Sequence, residues 1–107
     1  MLREKTDEAT AVLESFVKRV PEDLHSRTEL ARVYQKHRRL DDAEMILLGI
    51  LNERPNDLNS RTELAKIYQR QGRLKEAESM LLGLIEIEKD SIRGLTEISK
   101  VYRSNTA

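Results

Sequence analysis

Few residues in this 107-residue chain are of a type and spacing that could do chemistry. The two histidines, His25 and His37, have neither an H-E-x-x-H spacing nor a third ligand nearby, and the chain contains no cysteine. Its four glycines form no G-x-G-x-x-G or P-loop spacing that would cradle a phosphate. The acidic pair Asp41-Asp42 fits a helix start, where carboxylates interact favourably with the helix dipole. We therefore predict that the chain is not an enzyme and has no catalytic residue, no metal ligand and no cofactor.

Charge composition argues against nucleic acid as the main partner. Lysine plus arginine and aspartate plus glutamate each total 19, so the formal net charge is zero, whereas nucleic-acid-binding domains usually carry a basic excess. The turn KHRR at residues 36–39 is basic and could contact RNA, but its counterpart RQGR at residues 70–73 is less basic. The sequence has no aromatic ladder for base stacking beyond its tyrosines. An RNA-binding helical repeat is therefore kept only as a remote alternative.

The sequence predicts neither a secretory signal nor a membrane span. Residues 1–8 (MLREKTDE) are too polar for a signal peptide. The longest apolar run, at residues 45–51, falls far short of the ~18 residues that a membrane span needs. We expect a cytoplasmic protein with no membrane contact and no small-molecule substrate. A content of 36% charged and 4% aromatic residues favours a helical fold.

An internal repeat determines the elements that must position any binding residue. The segment that begins at Leu24 aligns without a gap on the segment that begins at Leu58, and about half of the 34 aligned positions are identical. The same offset places residues 92–102 under residues 58–68, and residues 9–21 under residues 43–55. Repetition at this period, nearly end to end, indicates stacked supersecondary units.

Each unit is predicted to contain two helices. Asp23 and Asp57 precede the first-type helices, where a carboxylate can cap the exposed N–H groups. Gly72 and Pro55 are expected to stop helices, glycine by entering the left-handed conformation. The predicted boundaries are a second-type helix of an incomplete repeat in 1–22 (about 2–19), complete repeats in 23–56 and 57–90, and the first helix of another incomplete repeat in 91–107 (about 92–103).

Each complete unit carries the residues of one pattern at fixed positions, although Pro55 and Gly72 each occur in one unit only. The residues of the pattern are Leu30, Ala31, Tyr34, Ala43, Leu47, Ile50 and Pro55 in the first unit, and Leu64, Ala65, Tyr68, Gly72, Ala77, Leu81 and Leu84 in the second. At a period of 34 residues this pattern resembles the tetratricopeptide repeat (TPR) family. The chain departs from the family pattern at four positions. Arg27 and Arg61 replace an early aromatic residue of the family, Lys89 replaces its closing proline, and Ser99 replaces a small residue.

The resemblance implies an all-α fold, a TPR-type α-solenoid of about six antiparallel helices. Ala31 and Ala43 would let two helices approach closely, while Tyr34 and Leu47 fill the adjoining space. Ala77 occupies the same kind of position in the second unit. We expect Ala77→Arg to lower the free energy of unfolding by several kcal/mol.

The resemblance also implies a groove lined by the first helices of successive units. The groove positions are Thr28, Glu29, Arg32, Gln35, Lys36, Thr62, Glu63, Lys66, Gln69, Arg70, Arg93, Thr96, Glu97, Lys100 and Arg103. Basic residues outnumber acidic ones among them, which favours an extended peptide or helix with some negative charge. Alternatively, Glu29–Arg32 and its equivalents are i,i+3 pairs on a solvated face. The carboxylate clamp of some family members is not carried over, because Thr28, Glu63 and Glu97 stand at matching positions.

A second candidate surface, for self-association, consists of apolar residues at the ends and on the second-type helices. Leu48 and Leu82 lie beside glycines toward the convex face, where they either form a contact patch or pack under adjacent repeats. Each terminus presents a half repeat, so one chain's end could complete another's start, unless the sequence is a segment of a longer repeat protein. The residues concerned are Val12, Leu13, Phe16, Leu48, Leu82, Leu95, Ile98, Val101 and Tyr102.

The sequence therefore predicts a non-enzymatic protein–protein interaction or assembly module. Its partner is expected to be another protein or peptide bound in the concave groove. The alternative function is a self-assembling scaffold, a homo-oligomer joined through its terminal half repeats.

Overall fold

The protein is described by a computed structural model that covers the backbone of residues 2–106 and the side chains of residues 7–100 and 103. Within these residues every regular element is a helix and no strand is present. The helices are α1 (Leu2–Arg19), α2 (Leu24–Lys36), α3 (Leu40–Glu53), α4 (Leu58–Arg70) and α5 (Leu74–Thr106). Each helix packs on the next one along the chain, so the fold is an all-α array of consecutive helix pairs.

The core lies between α2, α3, α4 and the start of α5. Leu47, Ile50, Leu64 and Ile67 are fully buried in it. Small residues stand where helices cross, and Ala43 is completely inaccessible to solvent. The predicted combination of small residues at the crossing with leucine and tyrosine around them is therefore confirmed for the first complete unit, and the same buried cluster includes Tyr68 and Ala77 of the second.

Both predicted N-caps are confirmed. The Asp23 carboxylate accepts the Ser26 backbone N–H at 3.3 Å, and the Asp57 carboxylate accepts the Ser60 N–H at 3.0 Å. In each case the serine hydroxyl donates to the same carboxylate. The cap therefore satisfies one of the orphan N–H groups at the helix start and shields a buried serine.

The turns that end α2 and α4 have the same backbone geometry but different residues. Gly72 has φ 73°, as predicted for a left-handed helix stop, and the equivalent position is Arg38 with φ 60°. In both turns the next N–H returns to the tyrosine carbonyl of the last helical turn, from Arg39 to Tyr34 and from Arg73 to Tyr68, at 2.8 Å. Arg38 therefore holds a conformation that is unfavourable for a residue with a Cβ atom.

We expect Arg38→Gly to raise the free energy of unfolding by about 0.5–1 kcal/mol. Glycine removes the strain of the left-handed conformation, and this gain exceeds the loss that comes from the greater conformational entropy of glycine in the unfolded chain. Urea unfolding followed by circular dichroism measures the change. Gly72→Ala is the matched variant, expected to lower stability by about 1 kcal/mol. An Arg38→Gly variant less stable than the original chain would contradict this view of the turn.

The prediction of six helices is wrong, because the sixth predicted helix is a continuation of the fifth. α5 runs for 33 residues from Leu74 to Thr106 and includes the segment predicted as a separate helix at 92–103. Between α3 and α4 the chain turns at residues 54–57 (RPND), where Pro55 cannot continue a helix. The equivalent residues 88–91 (EKDS) contain neither proline nor glycine, and the Ser91 hydroxyl donates to the Ile87 carbonyl within the helix.

The uninterrupted helix changes which residues are covered. α4 has 13 residues and is about 20 Å long, whereas α5 would be about 50 Å long, so the C-terminal half of α5 extends beyond its neighbour. The overall dimensions of 68 × 32 × 23 Å reflect this extension. Leu47 is 0% exposed, but its equivalent Leu81 is 40% exposed, because no following helix packs over it. Residues 88–100 are all exposed.

The positions of the helices do not test where one repeat ends and the next begins. The repeat limits at 22/23, 56/57 and 90/91 stay a prediction. The side chains of Val101 and Tyr102, two of the predicted self-association residues, lie outside the described residues. No helix among the described residues is long and apolar enough to span a membrane.

Candidate partner-binding groove

One open depression collects predicted groove residues from two repeats. α2 and α4 are the first-type helices of the two complete units, and their exposed faces meet in this depression of about 410 Å³. Its lining residues are Arg32, Gln35, Lys36, Arg38, Glu63 and Arg70. Arg38 was not predicted as a groove residue, although the basic turn at 36–39 signalled a local concentration of charge.

A hydrogen bond between repeats organises the floor of the depression. The Gln35 side chain in α2 donates to the Glu63 carboxylate in α4 at 3.1 Å. Glu63 also pairs with Lys66 on its own helix at 3.4 Å, and its side chain is largely buried. The one acidic side chain that lines the depression is therefore engaged with neighbours of this chain.

Most of the charged residues at equivalent groove positions of the three repeats form ion pairs within their own helices. Arg32 contacts Glu29 at 2.9 Å, and Lys100 contacts Glu97 at 3.3 Å, in the same i,i+3 arrangement as Glu63 and Lys66. The three i,i+3 pairs are therefore present, and those of Arg32 with Glu29 and of Lys100 with Glu97 are exposed at both side chains, whereas Glu63 is largely buried. Such exposed pairs contribute only about 0.2–0.5 kcal/mol each, so a ligand of opposite charge can compete with them.

The three threonines among the predicted groove residues also form hydrogen bonds within their own helices. The hydroxyls of Thr28, Thr62 and Thr96 donate to the carbonyl four residues earlier, at 2.9–3.0 Å. Their donor capacity is used, and each hydroxyl oxygen retains lone pairs that can accept a hydrogen bond.

The basic character of the depression comes from cations that form no ion pair, although Arg70 donates a hydrogen bond to the Gln35 carbonyl at 3.5 Å. Lys36, Arg38 and Arg70 line it together with Arg32. Among the residues that the structure describes, Lys36, Arg38 and Arg70 form no ion pair, and their fields add above the same surface. The depression is thus a positively charged surface that two repeats share.

The third set of predicted groove residues is not brought to this surface. Arg93, Thr96, Glu97, Lys100 and Arg103 all belong to the extending half of α5 and are exposed. The groove lined by three first-type helices therefore stays a prediction, and within the described residues the depression is lined from α2, the turn after it and α4. Of the other predicted positions, Thr62, Lys66 and Gln69 lie on α4 but outside the depression.

Two arginines, one after α2 and one after α4, contact tyrosine rings and carboxylates of the fold. The Arg39 guanidinium lies 4.4 Å from the Tyr34 ring centroid and bonds Asp42 at 2.9 Å. At the equivalent place, Arg73 lies 4.5 Å from the Tyr68 ring centroid and bonds Glu44 and Glu76. These arginine–tyrosine contacts were not predicted from the sequence. The signal for them was that both repeats have arginine at this position, 34 residues apart.

These contacts shift several pKa values. Burial and a hydrogen bond to Glu14, 2.6 Å from the hydroxyl, raise the pKa of Tyr34 to about 12. Burial likewise raises the pKa of Tyr68. Hydrogen bonding to Arg73 lowers the pKa of Glu76, and hydrogen bonding to Arg27 lowers that of Glu53. None of these groups lines the depression, so the shifts reflect structural pairs and point to no acid–base site there.

The two arginines at the family's early aromatic position have structural contacts. Arg27 bonds Glu53 at 2.9 Å, which links α2 to the end of α3. Arg61 donates to the Pro55 carbonyl at 3.0 Å and lies across Gly83, where an added Cβ atom would meet its guanidinium. Gly83 is therefore covered by a side chain of this protein, whereas the equivalent Gly49 borders open space.

The predicted self-association residues are distributed between core and surface. Leu13 packs against the core, whereas Val12 and Phe16 are exposed on α1. Leu48 and Leu82 are exposed on the second-type helices, as are Leu95 and Ile98 on the α5 extension. In the described part of the chain, no group of three or more metal-binding side chains is assembled.

Comparison with protein families identifies the repeat. A family model described as tetratricopeptide repeat matches residues 1–61, and a second one with the same description matches residues 58–87. The two matches overlap by only a few residues and together include α1 to α4 and the first part of α5. A comparison with curated proteins found no match.

Proposed function

Because the chain belongs to the tetratricopeptide repeat family, whose repeats generally mediate protein–protein interaction, we propose that it binds an acidic segment of a partner protein in the depression between α2 and α4. The family is generally a non-enzymatic interaction module. The proposed ligand is an extended peptide or a helix that presents carboxylates or other anionic groups to this surface.

The observation that carries the proposal is the unpaired positive charge of the depression. Lys36, Arg38 and Arg70 come from two repeats and converge on a surface where the acidic lining residue Glu63 is engaged with Gln35 and Lys66. A chain with zero net charge that concentrates cations at one concave site has a local field suited to an anionic ligand.

The span of the site favours a ligand that contacts both repeats. Lys36 ends α2 and Arg38 lies in the turn that follows, whereas Arg70 ends α4. Because carboxylates spaced along one peptide could contact both ends, binding would depend on both repeats being folded. Arginine adds bidentate recognition of carboxylates, which lysine lacks.

Charge reversal at two of these positions tests the proposal. We expect Lys36→Glu/Arg70→Glu to weaken binding of Asp/Glu-containing peptides by at least about tenfold, because each change replaces an attraction by a repulsion. Peptides selected from a displayed library against the original chain serve as probes, and fluorescence anisotropy gives Kd at two salt concentrations. The original chain should also lose affinity as salt increases.

The matched control carries the same change in charge elsewhere. Arg54→Glu/Lys75→Glu alters two exposed cations outside the depression and should leave Kd within about twofold. Circular dichroism melts must agree among the three proteins. Equal Kd values for the original chain and Lys36→Glu/Arg70→Glu would place the peptide site elsewhere.

RNA binding is less well supported as a function. Arg39 and Arg73 are occupied by tyrosine and carboxylate contacts, which leaves fewer cations at the turns for phosphates than the sequence suggested. Self-assembly is the second candidate, and the exposed leucine and isoleucine residues of α5 are the observation that favours it.

A further inference from the structure

α5 carries two exposed apolar segments on one helix. The first contains Leu81 and Ile85 near α4, where the side chains are only partly covered. The second lies on the extension, where Ile92, Leu95 and Ile98 are 58%, 65% and 66% exposed. Isolated surface leucines are common, but five large aliphatic residues in order along one helix are not accounted for by a solvated surface.

The two segments belong to the same face of α5. Leu84 and Leu95 stand seven and eighteen residues after the buried Ala77, which is close to whole numbers of helical turns. Charged pairs, Glu86 with Lys89 and Asp90 with Arg93, occupy the opposite side. The face that packs on α4 therefore continues past the end of α4 without a partner.

The chain cannot cover this face by itself while α5 is continuous. In the first complete unit, Leu47 of α3 is buried by α4, which folds back after the turn at 54–57. The equivalent covering segment for Leu81 would be residues 92–103, but these lie farther along the same helix. Leu81 and Ile98 are roughly 25 Å apart along a continuous helix.

We propose that a second copy of this chain covers the face, with the two α5 helices antiparallel and each supplying residues 92–103 to the other. The dimer is two-fold symmetric, with its axis near residues 89 and 90. The arrangement differs from the end-to-end joining of N- and C-terminal half repeats, since only the C-terminal halves take part.

The register of this pairing follows from the internal repeat. Leu47 is seven residues before the turn at 54–57, and Leu64, in the same buried cluster, is seven residues after it. Leu81 is likewise seven residues before the equivalent segment 88–91, and Ile98 is seven residues after it. When the segment is helical instead of turned, the two-fold pairing places Leu81 against the partner's Ile98 and Leu84 against the partner's Leu95. Because residues 88–91 are helical, a pair of helices that would form within one chain forms instead between two chains, with the same contacts.

The area available is that of a specific interface. Five aliphatic side chains per chain, each about half exposed, would bury roughly 1,000 Å² over two copies, which is near the lower bound for a stable association. Glu88 is the charged residue on this face near the axis, and the partner's Ser91 stands opposite with a hydroxyl that can donate to it.

Pairing would also extend the proposed groove, a step that rests on the function proposed above. The Gln35–Glu63 hydrogen bond joins α2 to α4, and its 34-residue equivalent joins Gln69 to the partner's Glu97. The five groove residues of the α5 extension would then lie beside α4 of the other copy. Each groove would receive its third first-type helix from the partner.

Introduced cysteines test the geometry, since the chain has none. Ser91→Cys is near the two-fold axis on the apolar face, and we expect it to form a disulfide-linked dimer under mild oxidation. Ser99→Cys lies on the same face but about 28 Å from its symmetry mate along the helices, and it should stay uncross-linked. Cross-linking at position 99 as well as at 91 would indicate an in-register parallel pair and overturn the proposal.

Sedimentation equilibrium measures the association without any ligand. We expect the original chain to approach twice 12.4 kDa at tens of micromolar. Ile98→Glu should remain monomeric with an unchanged helical spectrum, because its side chain is exposed on the extension. Lys89→Pro should also be monomeric, because it restores the proline that turns the chain after α3. A single species at 12.4 kDa up to about 100 μM would overturn the proposal and leave the groove unaffected, whereas failure of the groove variants would leave the dimer intact.

Discussion

Ala43→Arg should lower the free energy of unfolding by about 4–5 kcal/mol or more. Ala43 is fully buried where α3 crosses its neighbours, and the core cluster around it contains Leu47, Tyr34 and Leu64. An arginine there must either bury a charge without a partner or separate the helices. Either outcome costs about 4–5 kcal/mol or more, a large part of the 5–15 kcal/mol that stabilises a domain.

Far-ultraviolet circular dichroism and urea titration measure this effect. Ala11→Arg is the matched control, because Ala11 is an exposed position of α1 and arginine is a good helix former. Its free energy of unfolding should change by less than about 0.5 kcal/mol. The equivalent Ala77→Arg should also be strongly destabilising, since Ala77 is buried between α4 and α5. A normal two-state melt for Ala43→Arg would refute the crossing of α3 described above.

Leu47→Ala and Leu81→Ala should differ in cost although they change the same residue type at the same repeat position. Leu47 is completely buried, so its truncation leaves a cavity and should lower the free energy of unfolding by about 3–4 kcal/mol. Leu81 is 40% exposed, and its truncation should cost only about 1 kcal/mol in the isolated chain. The difference measures whether a following helix covers the second-type helix.

Protein concentration separates the possible reasons for that difference. Unfolding should be followed at low micromolar concentration and repeated about a hundredfold higher. If a second copy covers Leu81, the cost of Leu81→Ala should increase with concentration while that of Leu47→Ala stays constant. Equal costs for both variants at every concentration would mean that residues 92–103 fold back on their own chain, contrary to the continuous α5.

Much of the fold was predictable because its determinants are local and repeated. Asp23 and Asp57 cap helices through side chains that reach only three residues along the chain. Pro55 ends a helix wherever it stands, and Gly72 adopts the left-handed conformation without strain. The alignment of two units then identified most of the buried residues of α2, α3 and α4 without knowledge of the contacts, although Leu81, the equivalent of the buried Leu47, is 40% exposed.

The candidate site was predictable only in part. The face of α2 and α4 followed from the repeat, and five of the six residues that line the depression were expected. Which cations remain without an ion pair was not predictable, since it depends on side-chain geometry. Gln35 reaches Glu63 across two helices, and Arg38 joins the site because of a turn conformation that glycine usually adopts.

By itself the sequence determined the period, the first four helices and the N-caps of α2 and α4, because each is encoded by residues within a few positions of one another. Only the tertiary structure decided that α5 passes through residues 88–91 without a turn. The continuation depends on a balance between local helix propensity and the packing that a folded-back helix would provide, and the second term is non-local. That balance leaves Leu81 partly uncovered and holds the third set of groove residues away from the other two.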